Sequence, residues 1–228
     1  MAKVLFNSIV ILTVLSIIGC DSSEKQVESE WNVYRTVMEH NDMTTAIGSL
    51  NRIIAIEQYN ADALDTLCQL YLKVGMSDAA LKVATRAANV RESAAVTLVK
   101  AKANKNLRQF DQALMHFSKM LEQNPESLEC MYEVAFCNIN LKKGSEAFPY
   151  IEKIIKHPNS GSQVMQEYYQ NASQIVPYKA VALNMLGFLQ AQAGQNEEAV
   201  RSYQAALSIF PNYYLAQNNL RVLVPQKK

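Results

Sequence analysis

An alanine that recurs at a regular interval is the feature that most constrains how this chain can fold. Five copies are present, at Ala46, Ala80, Ala113, Ala147 and Ala199. The interval is about 34 residues, except for the last one, which contains an insertion. A small residue precedes four of these alanines at one fixed distance, as Cys68, Ala101, Ala135 and Gly187, and Tyr34 takes its place in the first copy. Small residues let two helices approach closely, so each copy predicts a pair of packed helices.

The stretch of residues 183–211 contains one whole copy of this pattern. Gly194 interrupts a first helical periodicity, and Pro211 follows the end of a second one. This arrangement resembles the tetratricopeptide repeat (TPR), a helix-turn-helix unit that cannot bury its apolar face without stacked neighbours. The resemblance predicts an all-α fold, an α-solenoid of about five TPR helix-turn-helix repeats over residues 27–224, with residues 213–223 as a C-terminal capping helix.

The charge balance and the missing site patterns argue against several functions. The chain has 22 basic and 21 acidic residues and no basic stripe, which disfavours a nucleic-acid groove. Its three histidines, His40, His116 and His157, are far apart and match no metal-binding spacing. The sequence contains no phosphate-binding glycine loop and no nucleophile elbow. We therefore predict that the protein is not an enzyme and needs no metal, cofactor or small-molecule substrate.

The N-terminus has the features of an export signal. Lys3 precedes an apolar run over residues 4–18, and the run ends in Gly19-Cys20. It is shorter than the roughly 20 apolar residues of a membrane-spanning helix, and it fits a secretory signal peptide at residues 1–19. A cysteine at this place is similar to the bacterial lipobox, in which the cysteine carries diacylglycerol.

The resemblance to a lipobox implies that Cys20 is lipidated and that residues 20–26 form a polar, flexible tether. A simple cleaved signal and an uncleaved anchor remain open as alternatives. The lipidated form would be anchored to a bacterial membrane and face the periplasm. Whether that membrane is the inner or the outer one stays open.

The insertion in the last interval occupies residues 162–179, after a turn signal at residues 159–161. Its apolar residues have helical spacing, which predicts one added helix or an extension of the preceding helix. The segment is either a spacer between repeats or a contact for a partner through Tyr168 and Tyr169. The second interpretation rests on the frequent functional use of loops longer than about 12 residues.

A partner surface follows from the resemblance to TPR arrays, in which the first helix of each pair lines the concave face. Asparagine amides can donate to and accept from a peptide backbone, and aromatic rings beside them add apolar area. We predict that proteins or extended peptides bind in the C-terminal half of this groove, through Tyr132, Phe136, Asn140, Asn184, Phe188 and Asn218. The alternative for the aromatic residues is that they pack against the following repeat.

The remaining cysteines are predicted to be free thiols. Cys130 and Cys137 lie on one predicted helix, and their spacing along the axis, about 10.5 Å, exceeds the reach of a disulfide. Cys68 occupies a small-residue position and is expected to be buried.

A lipobox joined to a short TPR array is similar to the TPR lipoproteins of pilus and secretion systems, and in particular to the Flp/Tad pilus assembly TadD family. That family also ends in an Asn-Asn-Leu helix, here Asn218-Asn219-Leu220. The resemblance implies a membrane-anchored scaffold for the assembly of a cell-envelope machine. A second hypothesis is an adaptor that regulates a periplasmic protease or a peptidoglycan enzyme, and an enzyme with an unrecognised site is the third.

Overall fold

The computed structural model describes residues 22–169 and 172–224. The predicted signal peptide at residues 1–19 and the predicted lipidation site Cys20 lie outside the described residues. In the part that is described, no helix combines the length and the apolar composition needed to cross a bilayer. Residues 22–26, which we predicted to belong to a flexible tether, are helical instead, and the next residue, Val27, is buried against the core.

Eleven helices and one β-hairpin make up the described residues. The first helix, α1, covers residues 22–39. The others are α2 (Met43–Ile56), α3 (Ala61–Lys73), α4 (Ser77–Val90), α5 (Ala94–Asn106), α6 (Phe110–Gln123), α7 (Leu128–Asn140), α8 (Gly144–Lys156), α9 (Tyr178–Gln192), α10 (Asn196–Ile209) and α11 (Tyr214–Leu223). The helices follow one another as helix-turn-helix pairs, and α11 comes after the fifth pair. The predicted all-α TPR fold is therefore confirmed.

The chain divides into two compact units. The first ends at Leu107 and contains α1–α5, and the second begins at Arg108 and contains α6–α11 and the hairpin. Each unit has its own apolar core. Prominent core residues are Leu50, Ile53, Leu64 and Val96 in the first unit, and Met131, Ile151, Val176 and Val181 in the second.

Small residues lie where the two helices of a pair cross. All five alanines of the repeat are fully buried. At Gly187 on α9, an added Cβ atom would lie 2.7 Å from Cε1 of Tyr203 on α10 and 3.1 Å from the carbonyl oxygen of Ala199. Two carbon atoms in contact need about 3.5–4.0 Å, so only glycine fits at this crossing. The small-residue pattern in the sequence is confirmed here.

A residue with left-handed backbone lies in the turn inside every helix pair. The described residues with positive φ are Asn41 (57°), Gly75 (81°), Arg108 (60°), Lys142 (60°) and Gly194 (77°). This conformation favours glycine and, to a lesser degree, asparagine, because a Cβ atom crowds the following carbonyl. Gly194 ends α9 as predicted, whereas Arg108 and Lys142 adopt the same turn in spite of their side chains.

The insertion forms a β-hairpin, so our prediction of an added helix or a helix extension is wrong. Strand β1 (Val164–Tyr169) pairs antiparallel with β2 (Ala172–Pro177), and the ladder runs from Val164 opposite Pro177 to Tyr169 opposite Ala172. The apolar spacing that indicated a helix also fits a strand with one buried face. Met165 and Val176 face the core, while Val164 and Ile175 are exposed on the other face. A short apolar segment cannot distinguish the two structures by periodicity alone.

The cysteines within the described residues agree with the prediction. Cys68, Cys130 and Cys137 are buried, and within the described residues none of the three forms a disulfide. Burial, and after it the neighbouring Asp65, raises the pKa of the Cys68 thiol to about 12. The thiol therefore stays protonated and behaves as a small apolar residue.

Replacing Gly187 with alanine is expected to destabilise the second unit by about 1–3 kcal/mol, the usual cost of overpacking, because the new methyl group overlaps the Tyr203 ring. Gly48 in α2 is the matched control, since an added Cβ there would meet only Arg52 Nη1 at 3.4 Å. Gly48→Ala should stabilise by up to about 1 kcal/mol through helix propensity. Urea unfolding measures both effects, and equal effects of the two substitutions would contradict the crossing argument.

Replacing Lys142 with glycine is expected to stabilise the second unit by up to about 1 kcal/mol. A left-handed L-residue costs about 1–2 kcal/mol, and the greater freedom of glycine in the unfolded chain offsets part of the gain. The control is Gly194→Ala in the equivalent turn of the next pair. It replaces a left-handed glycine with an L-residue and should therefore destabilise the protein. Thermal unfolding of both variants checks the prediction, and a lower stability of Lys142→Gly would refute it.

Candidate partner-binding site

The candidate site lies in the second unit, on α7 and α9, the first helices of the last two pairs, and on the final helix α11. Ser127 starts α7, and its hydroxyl accepts a hydrogen bond from the Cys130 amide at 3.2 Å. This bond satisfies one of the amides that a helix start leaves unpaired. Residues four apart share one helix face, so Tyr132, Phe136 and Asn140 form a row along α7.

The row on α7 passes from a buried ring to an exposed amide. The Tyr132 ring is buried, with its centroid 5.9 Å from that of Phe136 and 6.4 Å from that of Tyr178 at the start of α9. Phe136 is half-buried and lies 6.1 Å from Phe110 on α6. Asn140 is exposed, and its Nδ2 donates to the Phe136 carbonyl at 2.9 Å. Packing thus accounts for Tyr132, while Phe136 and Asn140 reach the surface.

The predicted residues on α9 and α11 also differ in how far they are exposed to solvent. Asn184 is buried, and its Oδ1 accepts a hydrogen bond from Asn219 Nδ2 at 2.9 Å, which joins α9 to α11. Asn218 is half-buried, and its Oδ1 accepts from the Arg221 guanidinium at 2.7 Å. Phe188 is 37% exposed. Phe188 is therefore the residue of this group that presents apolar area to a partner.

The hairpin contacts the beginning of α11, a contact that the sequence analysis missed. Gln174 on β2 donates from Nε2 to the Asn212 carbonyl at 2.6 Å, and its Oε1 accepts from the Tyr214 amide at 3.0 Å. One amide side chain thus satisfies two backbone groups where α11 starts without a side-chain cap of its own. The neighbouring Val176 is fully buried. These contacts hold the inner face of the hairpin against the helices.

The hairpin also brings a carboxyl group into the interior. Glu167 on β1 lies beside the hydroxyl of the buried Tyr213, although the two groups do not meet in full hydrogen-bonding geometry. Burial raises the pKa of the Glu167 carboxyl. Burial and the nearby Glu167 raise the pKa of the Tyr213 phenol. The sequence contains one indication that this carboxyl group has a special place. Glu167 is the only charged residue between His157 and Lys179.

Two buried tyrosines beside this surface, Tyr132 and Tyr178, also keep their phenol protons. Burial, with Glu129 next, raises the pKa of Tyr178 to about 12, and burial also raises the pKa of Tyr132. Neutral phenols and amides donate and accept hydrogen bonds, as contact with a polypeptide requires. Within residues 22–169 and 172–224, no group of three or more His, Cys, Asp or Glu residues is placed to hold a metal ion.

Solved structures of TPR proteins match most of the chain. The crystal structure of YrrB, described as a TPR protein with an unusual peptide-binding site, is 18% identical, with a TM-score of 0.66 over 82% of this chain and 88% of YrrB. A crystal structure of MamA is 16% identical, with a TM-score of 0.66 over 82% of this chain and 92% of MamA. MamA from residue 41 to its end, from Desulfovibrio magneticus RS-1, is 10% identical, with a TM-score of 0.67 over 83% of this chain and 97% of that one.

The sequence comparisons agree with this fold over a shorter stretch. No curated protein matches the sequence at a significant level. Residues 180–213, which include most of α9 and all of α10, match the family model for the tetratricopeptide repeat. The structural matches have low identity and therefore establish the fold alone. This chain has the TPR fold, and its fifth helix pair matches the tetratricopeptide repeat in sequence as well.

Proposed function

We propose that this protein is a scaffold that binds a partner protein through the first helices of its second unit. The observation that carries the proposal is the exposed apolar area of Phe188 on α9, together with the Phe136 and Asn140 row on α7. Aromatic anchors flanked by amides are typical of surfaces that bind polypeptides. The peptide-binding site for which YrrB is described supports the same use of a TPR surface.

Burial limits which of the predicted residues a partner can reach. Tyr132 and Asn184 are buried beneath neighbouring side chains, and Asn184 is already paired with Asn219. The surface open to a partner is therefore formed by Phe136, Asn140 and Phe188. The buried pair Tyr132 and Asn184 supports this surface from below.

The proposed cellular setting is the cell envelope. Cys20 after the apolar run of residues 4–18 supports a lipid anchor on a bacterial membrane. The combination of a lipobox, a TPR array and Asn218-Asn219-Leu220 supports a role in the assembly of a Flp/Tad-type pilus or secretion system. The identity of the protein that crosslinks to α9 distinguishes this role from that of an adaptor for a periplasmic protease or a peptidoglycan enzyme.

Replacing Phe188 with alanine is expected to weaken partner binding about tenfold, because an aromatic anchor that becomes buried under a partner contributes about 1–2 kcal/mol. A photo-crosslinking residue at position 188 identifies the partner in cells. The affinity of the purified partner is then measured by calorimetry for the wild type and the variant.

Phe148 on α8 provides the matched control for this experiment. It is the same residue type in the same unit and is 43% exposed, but it lies on a second helix, in a shallow groove with Leu186 and Leu189. Phe148→Ala should leave the affinity unchanged. A loss of affinity in Phe148→Ala with none in Phe188→Ala would move the binding surface to the groove between α8 and α9 and refute the proposal.

Replacing Cys20 with serine is expected to release the protein from membranes and to abolish incorporation of labelled palmitate. Two acyl chains hold a protein stably on a bilayer, whereas a polypeptide without them has no such anchor. Membrane fractionation and the intact mass of the mature wild-type protein provide the measurement. An unlabelled wild-type protein would contradict lipidation, and its mass would then separate a simple cleaved signal from an uncleaved anchor.

A further inference from the structure

The outer edge of strand β1 has backbone groups without a strand partner. Within the described residues, the sheet contains β1 and β2 alone. The Tyr178 amide donates to the Gln163 carbonyl at 3.1 Å, which makes this facing pair a hydrogen-bonded one. Such pairs alternate with non-bonded pairs in an antiparallel ladder. It follows that the amides and carbonyls of Val164, Gln166 and Tyr168 point away from β2.

This edge lacks three of the features that discourage strand pairing in natural proteins. Its outer face carries no lysine, no proline and no bulge. Val164 is 50% exposed and Tyr168 is 71% exposed, with the exposed Gln166 between them. The one charged residue, Glu167, faces the interior beside Tyr213. The other edge of the hairpin is less suited to pairing, because Pro177 on β2 has no amide proton.

We propose that β1 pairs in antiparallel orientation with β1 of a second copy of this chain, about a twofold axis at Gln166. An interface on such an axis must be complementary to itself. With the axis at Gln166, Val164 faces Tyr168 of the second copy, and Gln166 faces its own equivalent. All three outward-facing residues then form hydrogen-bonded pairs. An axis at Val164 or Tyr168 would leave part of the edge unpaired.

The side chains at this edge favour the same arrangement. A β-branched residue opposite an aromatic one is a favourable cross-strand pair, and Val164 opposite Tyr168 occurs on both sides of the axis. Gln166 donates from Nε2 to Ser173 Oγ at 3.3 Å. Because an amide side chain has a second N–H and an acceptor oxygen, two facing glutamines can still donate to and accept from each other. No like charges meet, because the exposed face carries no charged side chain. These properties select a second copy as the occupant of the edge in preference to a charged peptide.

The hairpin presents this edge on a fixed support. Gln174 binds the backbone on both sides of Tyr213, and Val176 is fully buried in the core. The strand is therefore already in the pairing conformation, so little conformational entropy is lost on association. A strand edge buries less than about 1,200 Å², the range of weak and transient complexes. The inference is independent of the partner surface on α7 and α9.

The test is sedimentation equilibrium of the purified full chain at concentrations up to about 1 mM, where even weak association is detected. The wild type is expected to dimerise reversibly. Gln166→Lys and Gln166→Glu should each raise the dissociation constant by about tenfold or more, because like charges then face each other, and salt should reduce the effect. An equimolar mixture of the two variants should regain association, since lysine then faces glutamate.

Ile175→Lys is the matched control, because Ile175 is 65% exposed on the same face but lies on β2. It should leave the dimer unchanged. As a second measurement, Gln166→Cys should form a disulfide-linked dimer on oxidation, since facing residues lie about 5.5 Å apart between Cα atoms, and Ile175→Cys should not. A wild type that remains monomeric, equal effects of the Gln166 and Ile175 substitutions, or a charge mixture that fails to associate would overturn the proposal.

Discussion

The close crossing of two helices within each pair is the constraint on which the rest of the structure depends. Tyr203 can fill the space between α9 and α10 only because Gly187 has no side chain, and Ala199 brings the two backbones together beside it. The α3–α4 and α7–α8 pairs repeat this solution, with Ala80 and Ala147 on the second helix and Cys68 and Ala135 on the first. A fully buried residue at a crossing cannot grow without moving a helix, because protein interiors are close-packed.

The same constraint explains where the chain accepts an insertion. A change inside a pair would disturb the crossing or the left-handed turn, but the connection between α8 and α9 joins two different pairs. The hairpin there is closed at its base by the Lys179 amide, which donates to the Ser160 carbonyl at 2.8 Å. Its two ends therefore lie together, as in a short loop, and α9 begins where a repeat without an insertion would begin. The repeat thus tolerates the insertion with its packing intact.

A feature of this structure can be predicted from the sequence when the residues that form it are close together along the chain. The helix pairs, the buried alanines and the turn at Gly194 depend on residues within one repeat, so their spacing is visible in the sequence. The hairpin depends on contacts of Gln174 and Val176 with distant residues, and its apolar spacing also fits a helix. The burial of Asn184 likewise depends on Asn219, one repeat away. Exposure was therefore predictable for Phe188 and Asn140 but not for Tyr132 and Asn184.

The hairpin separates two kinds of surface on the second unit. Its inner face contacts the start of α11, where Gln174 replaces a missing helix cap and Glu167 lies against Tyr213. Its outer face carries the exposed Gln166 and Tyr168, and the backbone edge of β1 lies beside that face. The two faces differ because consecutive residues of a strand point to opposite sides of the sheet. Substitution of Gln166 on the outer face therefore leaves the Phe188 surface intact, and pairing of copies and partner binding can be measured separately in the same molecule.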